Sequence, residues 1–197
     1  GRLMNIFVLD LCPVKAAQMQ CDKHIVKMIL ESGQMLSTAH RVLDGSVCRM
    51  PSKSGKTMVK HWQLPDHRDE GLYKAVHVGH PCTVWSMESA ENYQWHYAHF
   101  RALALEFEDR YGKSHKSWVD LCDLLAMSPT NIPKIGLTPF KLAMGAAPEC
   151  NNPEDPVGSY RAFYITKQDR FSMTWSKREA PEWFVYRTEL NLRSSAQ

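Results

Sequence analysis

The sequence lacks the features that identify a membrane, secreted or disulfide-bonded protein. No apolar run approaches the roughly 18 residues of a membrane span, and Ile6–Leu11 is too short for the hydrophobic region of a signal peptide. The six cysteines are scattered and form no C-x-x-C pair, which argues against a zinc ribbon or a thioredoxin-type site. We therefore expect reduced thiols, a cytoplasmic location and no membrane partner.

Common catalytic and cofactor-binding signatures are also missing. Neither G-x-G-x-x-G nor G-x-S-x-G occurs, so dinucleotide binding and α/β-hydrolase chemistry have no support. A Gly-Lys-Thr sequence at 55–57 resembles the end of a phosphate-binding loop, but Met50 stands where the first glycine belongs. H-x-x-H spacing occurs at 77–80 and at 96–99, and no carboxylate or cysteine completes a zinc pattern. We expect no metal and no other cofactor.

The composition that remains is that of a folded domain with many aromatic residues. Hydrophobic residues make up 44% of the 197 residues and charged residues 23%, which is near the globular average. This length predicts one domain over residues 1–197. The 24 Lys and Arg against 21 Asp and Glu give a formal charge of +3, which permits a nucleic-acid partner without requiring one.

Hydrophobic periodicity predicts a mainly α fold. Asn5–Leu11 is apolar and β-prone, so it predicts a short buried strand. A β-hairpin is expected within an insertion at 46–71, and residues 129–197 predict an irregular segment, a helix and a basic-aromatic tail. Helices are predicted over Asp22–Leu43, Thr83–Tyr111, Trp118–Met127 and Tyr160–Phe171. The expected fold is a compact helical single domain with a short N-terminal strand and a small β-hairpin insertion.

The first long helix carries the sharpest candidate site. Six polar residues spaced three and four apart form one stripe along it: His24, Lys27, Glu31, Gln34, Thr38 and Arg41. This mixture suits a binding or catalytic wall in which one carboxylate is flanked by cations. The cations would keep Glu31 ionised. The alternative interpretation is an ordinary solvent-exposed helix face with a Lys27–Glu31 ion pair.

A second group of polar residues lies at the ends of the later helices. His80 precedes Pro81 at a predicted helix start, where it could orient a phosphate or cap the helix. The potential cations Arg110, Lys113 and His115 cluster at a predicted helix C-terminus. They could bind phosphate, or they could simply complement the helix dipole.

The order of these landmarks resembles the pyrimidine-dimer DNA glycosylases, which are small phage-type repair enzymes. The corresponding pieces are the apolar segment at 5–11, the helix segment Ile25–Glu31, His80-Pro81 and the sequence Arg110-Tyr111-Gly112. The resemblance therefore covers residues 4–115 as a glycosylase-like helical core. The whole chain is also similar to a second family, common in tailed phages and without an assigned activity, marked by Cys21-Asp22-Lys23-His24.

The glycosylase resemblance implies base excision. In that family an amine attacks the sugar C1′ and a carboxylate stabilises the developing sugar cation. Glu31 would be the carboxylate, and the amine would come from Met4, Lys23 or Lys27. We therefore expect a monomeric DNA N-glycosylase, with or without AP-lyase strand cleavage, that acts on damaged or modified pyrimidines in double-stranded DNA. If a phage encodes the chain, the host cytoplasm is the expected location.

This interpretation assigns every candidate site residue a role. The expected catalytic residues are Glu31, Lys27 and His24. The expected DNA-binding residues are Lys23, Gln34, Arg41, His80, Asn92, Trp95, Arg110, Lys113 and His115. Two alternatives remain open: a different nucleotide- or DNA-base-modifying enzyme on the same helical scaffold, and a non-enzymatic DNA- or protein-binding module.

Overall fold

A computed structural model describes residues 4–187 and confirms a mainly α fold with one small β-hairpin. The last part of the predicted basic-aromatic tail, residues 188–197, lies outside the described residues. The strands are β1 (Ser46–Pro51) and β2 (Met58–Gln63). The helices are α1 (Pro13–Gln18), α2 (Asp22–Asp44), α3 (Arg68–Gly71), α4 (Pro81–Glu88), α5 (Ala90–Tyr111), α6 (Lys116–Leu125) and α7 (Pro156–Thr166), and two short 3₁₀ helices cover Pro148–Cys150 and Lys167–Asp169. None of the described helices is long and apolar enough to cross a bilayer.

The core forms where α2 packs against α4, α5 and α6. The apolar face of α2 supplies Ile25, Met28 and Ile29, all of which are fully buried. On α5, Tyr93 and Phe100 are fully buried as well. This packing fixes the direction of α2 and thereby decides where its polar residues lie.

The N-terminal segment is buried as predicted, but it is not a strand. Within the described chain it pairs with no other strand, since β1 and β2 form the only sheet there. Phe7 has φ 56°, and its backbone N–H donates to Asn5 Oδ1 at 3.0 Å. Leu9 N–H donates to the Phe7 carbonyl at 2.8 Å, so the chain turns at Phe7 instead of continuing extended. The apolar run therefore predicted burial correctly and strand pairing wrongly.

The single helix predicted over Thr83–Tyr111 is in fact two helices, α4 and α5. The break lies at Ser89, whose backbone is extended and whose Oγ accepts a hydrogen bond from Asn92 N–H at 3.0 Å. Asn92 Nδ2 in turn donates to the Trp85 carbonyl at 2.8 Å, which fixes the angle between the two helices. At its other end α5 stops at Gly112, with φ 70°, where the sequence predicted the stop.

The predicted β-hairpin is present. Its two antiparallel strands pair Ser46 with Gln63 and Pro51 with Met58. Most of its side chains are exposed, so packing against the helices does little to hold it. The hairpin is held at its base, where β2 meets α2.

Arg41 joins that hairpin base to α2 and to the loop around α3. Its Nη1 donates to the Trp62 carbonyl and to Asp69 Oδ1, both at 2.8 Å. Its Nε donates to the Tyr73 carbonyl at 2.6 Å, and its Nη2 to the Asp69 and Leu72 carbonyls at 2.8 and 2.9 Å. The guanidinium thus uses all five N–H groups and is 1% exposed. The structure gives Arg41 this structural role instead of the predicted DNA contact.

We expect Arg41→Met to lower the free energy of unfolding by about 3 kcal/mol or more. The change would remove the guanidinium donor from four backbone carbonyls and from the Asp69 carboxylate. Urea denaturation measures it, with the exposed Arg101→Met as the matched control, expected within about 0.5 kcal/mol of wild type. An Arg41→Met protein as stable as the control would contradict the role given to Arg41.

Candidate functional site

A cavity of about 360 Å³ opens beside the middle of α2. Its volume falls in the range of ~300–1,000 Å³ that small-molecule sites occupy. Its walls come from the N-terminal segment, from α2 and from the loop that precedes α4. The lining residues are Met4, Lys27, Leu30, Glu31, Gln34, Val76 and His77. Three residues of the predicted stripe, Lys27, Glu31 and Gln34, therefore share one cavity.

Glu31 is the unusual member of this lining. Its side chain is buried, with 8% of the residue exposed, and Oε2 has no hydrogen-bond partner among the described residues. Burial raises the pKa of Glu31 to about 7, although the Lys27 ammonium and the Asn5 backbone amide oppose the rise. The expectation that flanking cations keep Glu31 ionised is therefore wrong, because loss of hydration outweighs the attraction of Lys27.

A second buried carboxylate of the described chain, Glu106, shows how a structural charge is compensated in this fold. Glu106 is 4% exposed, and Oε2 accepts from Arg110 Nε at 2.9 Å and from Arg178 Nε at 2.6 Å. Burial opposes ionisation here too, yet the hydrogen bonds from Arg178 and Arg110 lower the pKa of Glu106. Two arginines compensate Glu106 and none compensates Glu31, so Glu31 does not fit a structural role.

His24, predicted as catalytic, lies in the core behind the cavity. It is 4% exposed, its ring stacks on Phe7 at 4.8 Å, and Nδ1 is 2.8 Å from the Tyr164 hydroxyl. Burial lowers the pKa of His24 to about 3, with further lowering by Lys167, Lys27 and Lys23. His24 is therefore neutral and held in place, and it does not line the cavity.

Several predicted DNA contacts are buried parts of the framework. Arg110 is 5% exposed; it pairs with Glu106 and with Asp22 Oδ1 at 3.1 Å. Asn92 is fully buried at the start of α5. Trp95 is 9% exposed, and its Nε1 donates to the Leu11 carbonyl at 2.9 Å. These side chains position helices, and little of their surface is open to DNA.

His80 and His115, both expected to contact DNA, are the N-caps of α4 and α6. His80 Nδ1 accepts from Cys82 N–H at 3.1 Å, and His115 Nδ1 accepts from Ser117 N–H at 3.1 Å. His80 lines a second cavity of about 440 Å³, which Met4 separates from the Glu31 cavity. Lys113 and Lys23 are exposed at the surface, as a phosphate contact requires.

His77 lines the cavity, although its H-x-x-H spacing with His80 is the only signal that it gives in the sequence. Its backbone has φ 47°, a conformation that costs free energy for a residue with a Cβ and that concentrates at functional sites. The Thr38 hydroxyl accepts from Val76 N–H at 3.1 Å and donates to the Val76 carbonyl at 3.3 Å, which holds this loop on α2. In the part of the chain described, no three His, Cys, Asp or Glu residues are grouped to hold a metal ion.

The raised pKa of Glu31 predicts how its removal affects stability. A carboxyl whose folded pKa exceeds the unfolded value of 4.5 contributes most below pH 4.5, and that contribution is lost as pH rises through about 7. Glu31→Gln should therefore raise Tm by about 2–4 °C at pH 8, and the gain should shrink towards pH 4.5. Thermal unfolding at a series of pH values measures this. Glu108→Gln on the exposed side of α5 is the control, and a Glu31→Gln protein that is less stable than wild type at pH 8 would contradict the prediction.

Compared with protein-family models, with curated proteins and with solved structures, the chain shows no significant match to any of them. Its function must therefore be argued from its own residues. Among these residues Glu31 is a buried carboxylate whose Oε2 has no hydrogen-bond partner in the described chain and which faces a cavity of ligand size.

Proposed function

We propose that this chain is a DNA N-glycosylase that removes a damaged or modified pyrimidine, with Glu31 as the carboxylate of the reaction. One observation carries the proposal: Glu31 is buried, its Oε2 has no hydrogen-bond partner among the described residues, and it faces a cavity. A carboxylate in this state lowers the stability of the fold, and proteins retain such groups mainly where they serve a function. The resemblance of residues 4–115 to the pyrimidine-dimer glycosylases suggests which chemistry that is.

The pKa of Glu31 suits base excision. A pKa of about 7 leaves both the protonated and the ionised forms abundant near neutral pH. When the bond between C1′ and the base breaks, positive charge develops on the sugar, and an ionised carboxylate stabilises it more strongly where water is excluded. The ionised Glu31 carboxylate can also take a proton from the attacking nucleophile.

The cavity has the character expected for one extruded base. Enzymes that act on a base in DNA take it out of the stack and hold it in a close-fitting pocket. Here Leu30 and Val76 offer apolar contacts to a base face, and the Gln34 amide offers both a donor and an acceptor for its polar edge.

Lys27 is the side-chain amine best placed to be the nucleophile. It lies one helical turn before Glu31 and lines the same cavity. In this route ionised Glu31 takes a proton from the Lys27 ammonium, the free amine attacks C1′, and the base departs with the electrons of the C1′–N bond. The departing base takes the proton that Glu31 now holds, and one proton of the attacking nitrogen passes to O4′ as the sugar ring opens, which leaves a protonated imine between Lys27 and C1′. Because the step needs ionised Glu31, its rate should rise with pH through about 7.

We expect Glu31→Gln to slow base release by about 100-fold or more while DNA affinity stays within about twofold of wild type. Gln keeps the shape of the side chain but cannot exchange a proton. The measurement is single-turnover release from short duplexes that each carry one modified pyrimidine, such as a cyclobutane dimer or a 5-substituted cytosine or thymine.

Glu108→Gln is the matched control, since Glu108 is an exposed glutamate outside the cavity, and it should leave release unchanged. Retained turnover in Glu31→Gln would overturn the assignment of Glu31. Borohydride should capture wild type on the cleaved DNA but not Lys27→Gln. Equal capture of both would remove Lys27 as the nucleophile.

A further inference from the structure

We propose that Lys23, Lys167 and Arg170 form a binding site for a backbone phosphate of DNA beside the Glu31 cavity. Identifying this phosphate as part of the substrate strand rests on the proposed function, whereas the binding of DNA there does not. Lys167 and Arg170 were not among the sequence candidates. Lys27 lies between this phosphate site and Glu31.

The fold brings these cations together from two distant parts of the chain. Lys23 lies in the first turn of α2, whereas Lys167 begins the 3₁₀ helix that follows α7. Lys23 and Lys167 both act on the buried His24, whose pKa they help to lower. Arg170 and Lys27 in turn help to lower the pKa of Lys167, after burial as the main cause. The contacts agree with this: Lys23 Nζ lies over the ring of Phe171, which follows Arg170 in the chain, and that ring packs against His24 at 5.4 Å, so the cations lie on the same side of the molecule around His24.

No ion pair within residues 4–187 neutralises these four cations. None of Lys23, Lys27, Lys167 and Arg170 forms an ion pair with a described carboxylate. The acidic residues adjacent to the cluster in sequence are already engaged: Asp22 by Arg110 at 3.1 Å and by Ser176, and Asp169 by Arg187 at 2.8 Å. The local field is therefore positive although the net charge of the chain is only +3.

Lys167 distinguishes this cluster from an ordinary group of surface lysines. It is 7% exposed, and its Nζ lies 4.1 Å from the centre of the Phe163 ring. Arg41 and Arg110, the other buried cations of the described chain, donate five and four hydrogen bonds to protein acceptors, whereas Lys167 Nζ donates none within residues 4–187. The Lys167 side chain is largely buried, yet its Nζ is not sealed from solvent, so a bound anion can reach the ammonium and supply the acceptor that the protein does not provide.

The neighbouring ammonium is also held in place. Lys23 Nζ lies 4.4 Å from the centre of the Phe171 ring, and the His24 ring packs edge-on against the same Phe171. Both lysines thus present their charge from aromatic supports, which reduces the side-chain entropy lost when an anion binds. This preorganisation favours a defined ligand position over diffuse attraction.

The spacing along α2 fits a nucleotide. Lys27 and Glu31 are four residues apart, which is about 6 Å along the helix, and Lys23 is about 6 Å further away. A phosphate lies at a comparable distance from the C1′ of its own nucleotide. A base in the Glu31 cavity would therefore place an adjacent phosphate near Lys27 and the next one near Lys23 and Lys167. A chain of phosphates favours DNA over a mononucleotide as the ligand.

The test measures how DNA affinity depends on salt. The probe is a fluorescein-labelled duplex with one tetrahydrofuran abasic site, and anisotropy gives Kd over a range of salt concentrations. We expect Lys167→Met and Arg170→Gln each to weaken binding by about 3–10-fold at low salt. Each should reduce the slope of log Kd against log salt by about 1, and the double variant by about 2.

Lys134→Gln is the matched control, because Lys134 is an exposed lysine outside the cluster; its Kd and slope should equal those of wild type. The exposed Arg170→Gln keeps the test valid if Lys167→Met fails to fold. Unchanged slopes in both cluster variants would overturn the proposal. So would displacement of the duplex by thymidine monophosphate at a concentration matched in phosphate, since the ligand would then be a mononucleotide.

The two proposals fail separately. If no duplex ever releases a base but the cluster variants lose slope, the phosphate site stands and the glycosylase proposal falls. If base release depends on Glu31 but the slopes do not change, the phosphate site falls and the glycosylase proposal stands.

Discussion

Glu31 loses most of its contact with water when the N-terminal segment and the loop at 76–77 pack over α2, and the described chain provides no hydrogen bond to Oε2 in return. Its pKa of about 7 is the direct consequence. The proposed base-excision chemistry depends on this burial. Without it Glu31 would be an ordinary exposed glutamate beside Lys27, and the cavity would have no reactive group.

Elsewhere in the fold, buried charged groups have the hydrogen-bond partners that Glu31 Oε2 lacks. Arg41 satisfies five acceptors at the hairpin base, and Arg110 and Arg178 compensate Glu106 below the N-terminal segment. Arg41 thereby fixes the chain at 69–73, just before the loop at 76–77, and Arg110 fixes the chain at 18–22, where α2 begins. Glu31 Oε2 has no hydrogen-bond partner and Lys167 has no carboxylate partner within residues 4–187, and their opposite charges suit the sugar cation and the phosphate of one nucleotide strand.

Much of this arrangement could be predicted from local sequence rules, and the decisive part could not. Spacing correctly placed Lys27, Glu31 and Gln34 on one face of α2, and turn residues correctly placed the hairpin. Periodicity does not show which segment will cover a face. The six-residue stripe was therefore expected at a surface, whereas Thr38 and Arg41 are buried by the loops that follow the hairpin. The pKa of Glu31 could not be foreseen, because it depends on that tertiary covering.

Local rules also failed where a single residue redirects the chain. The turn at Phe7 depends on a hydrogen bond to the Asn5 side chain, and the break at Ser89 depends on its capping of Asn92. Neither Asn5 nor Ser89 interrupts the apolar spacing around it, so periodicity alone does not reveal the turn or the break. Lys167 was overlooked because its neighbours on α2 lie more than 130 residues away in sequence, and only the folded chain brings them together.

The most direct test of this account is the titration of Glu31 itself. The side-chain ¹³Cδ resonance of Glu31, assigned by its disappearance in Glu31→Gln, can be followed by NMR from pH 3 to pH 9. The account predicts a midpoint near pH 7. A midpoint near 4.5, the ordinary value of a glutamate, would contradict it, because Glu31 would then be hydrated or compensated and the site would lose its central group.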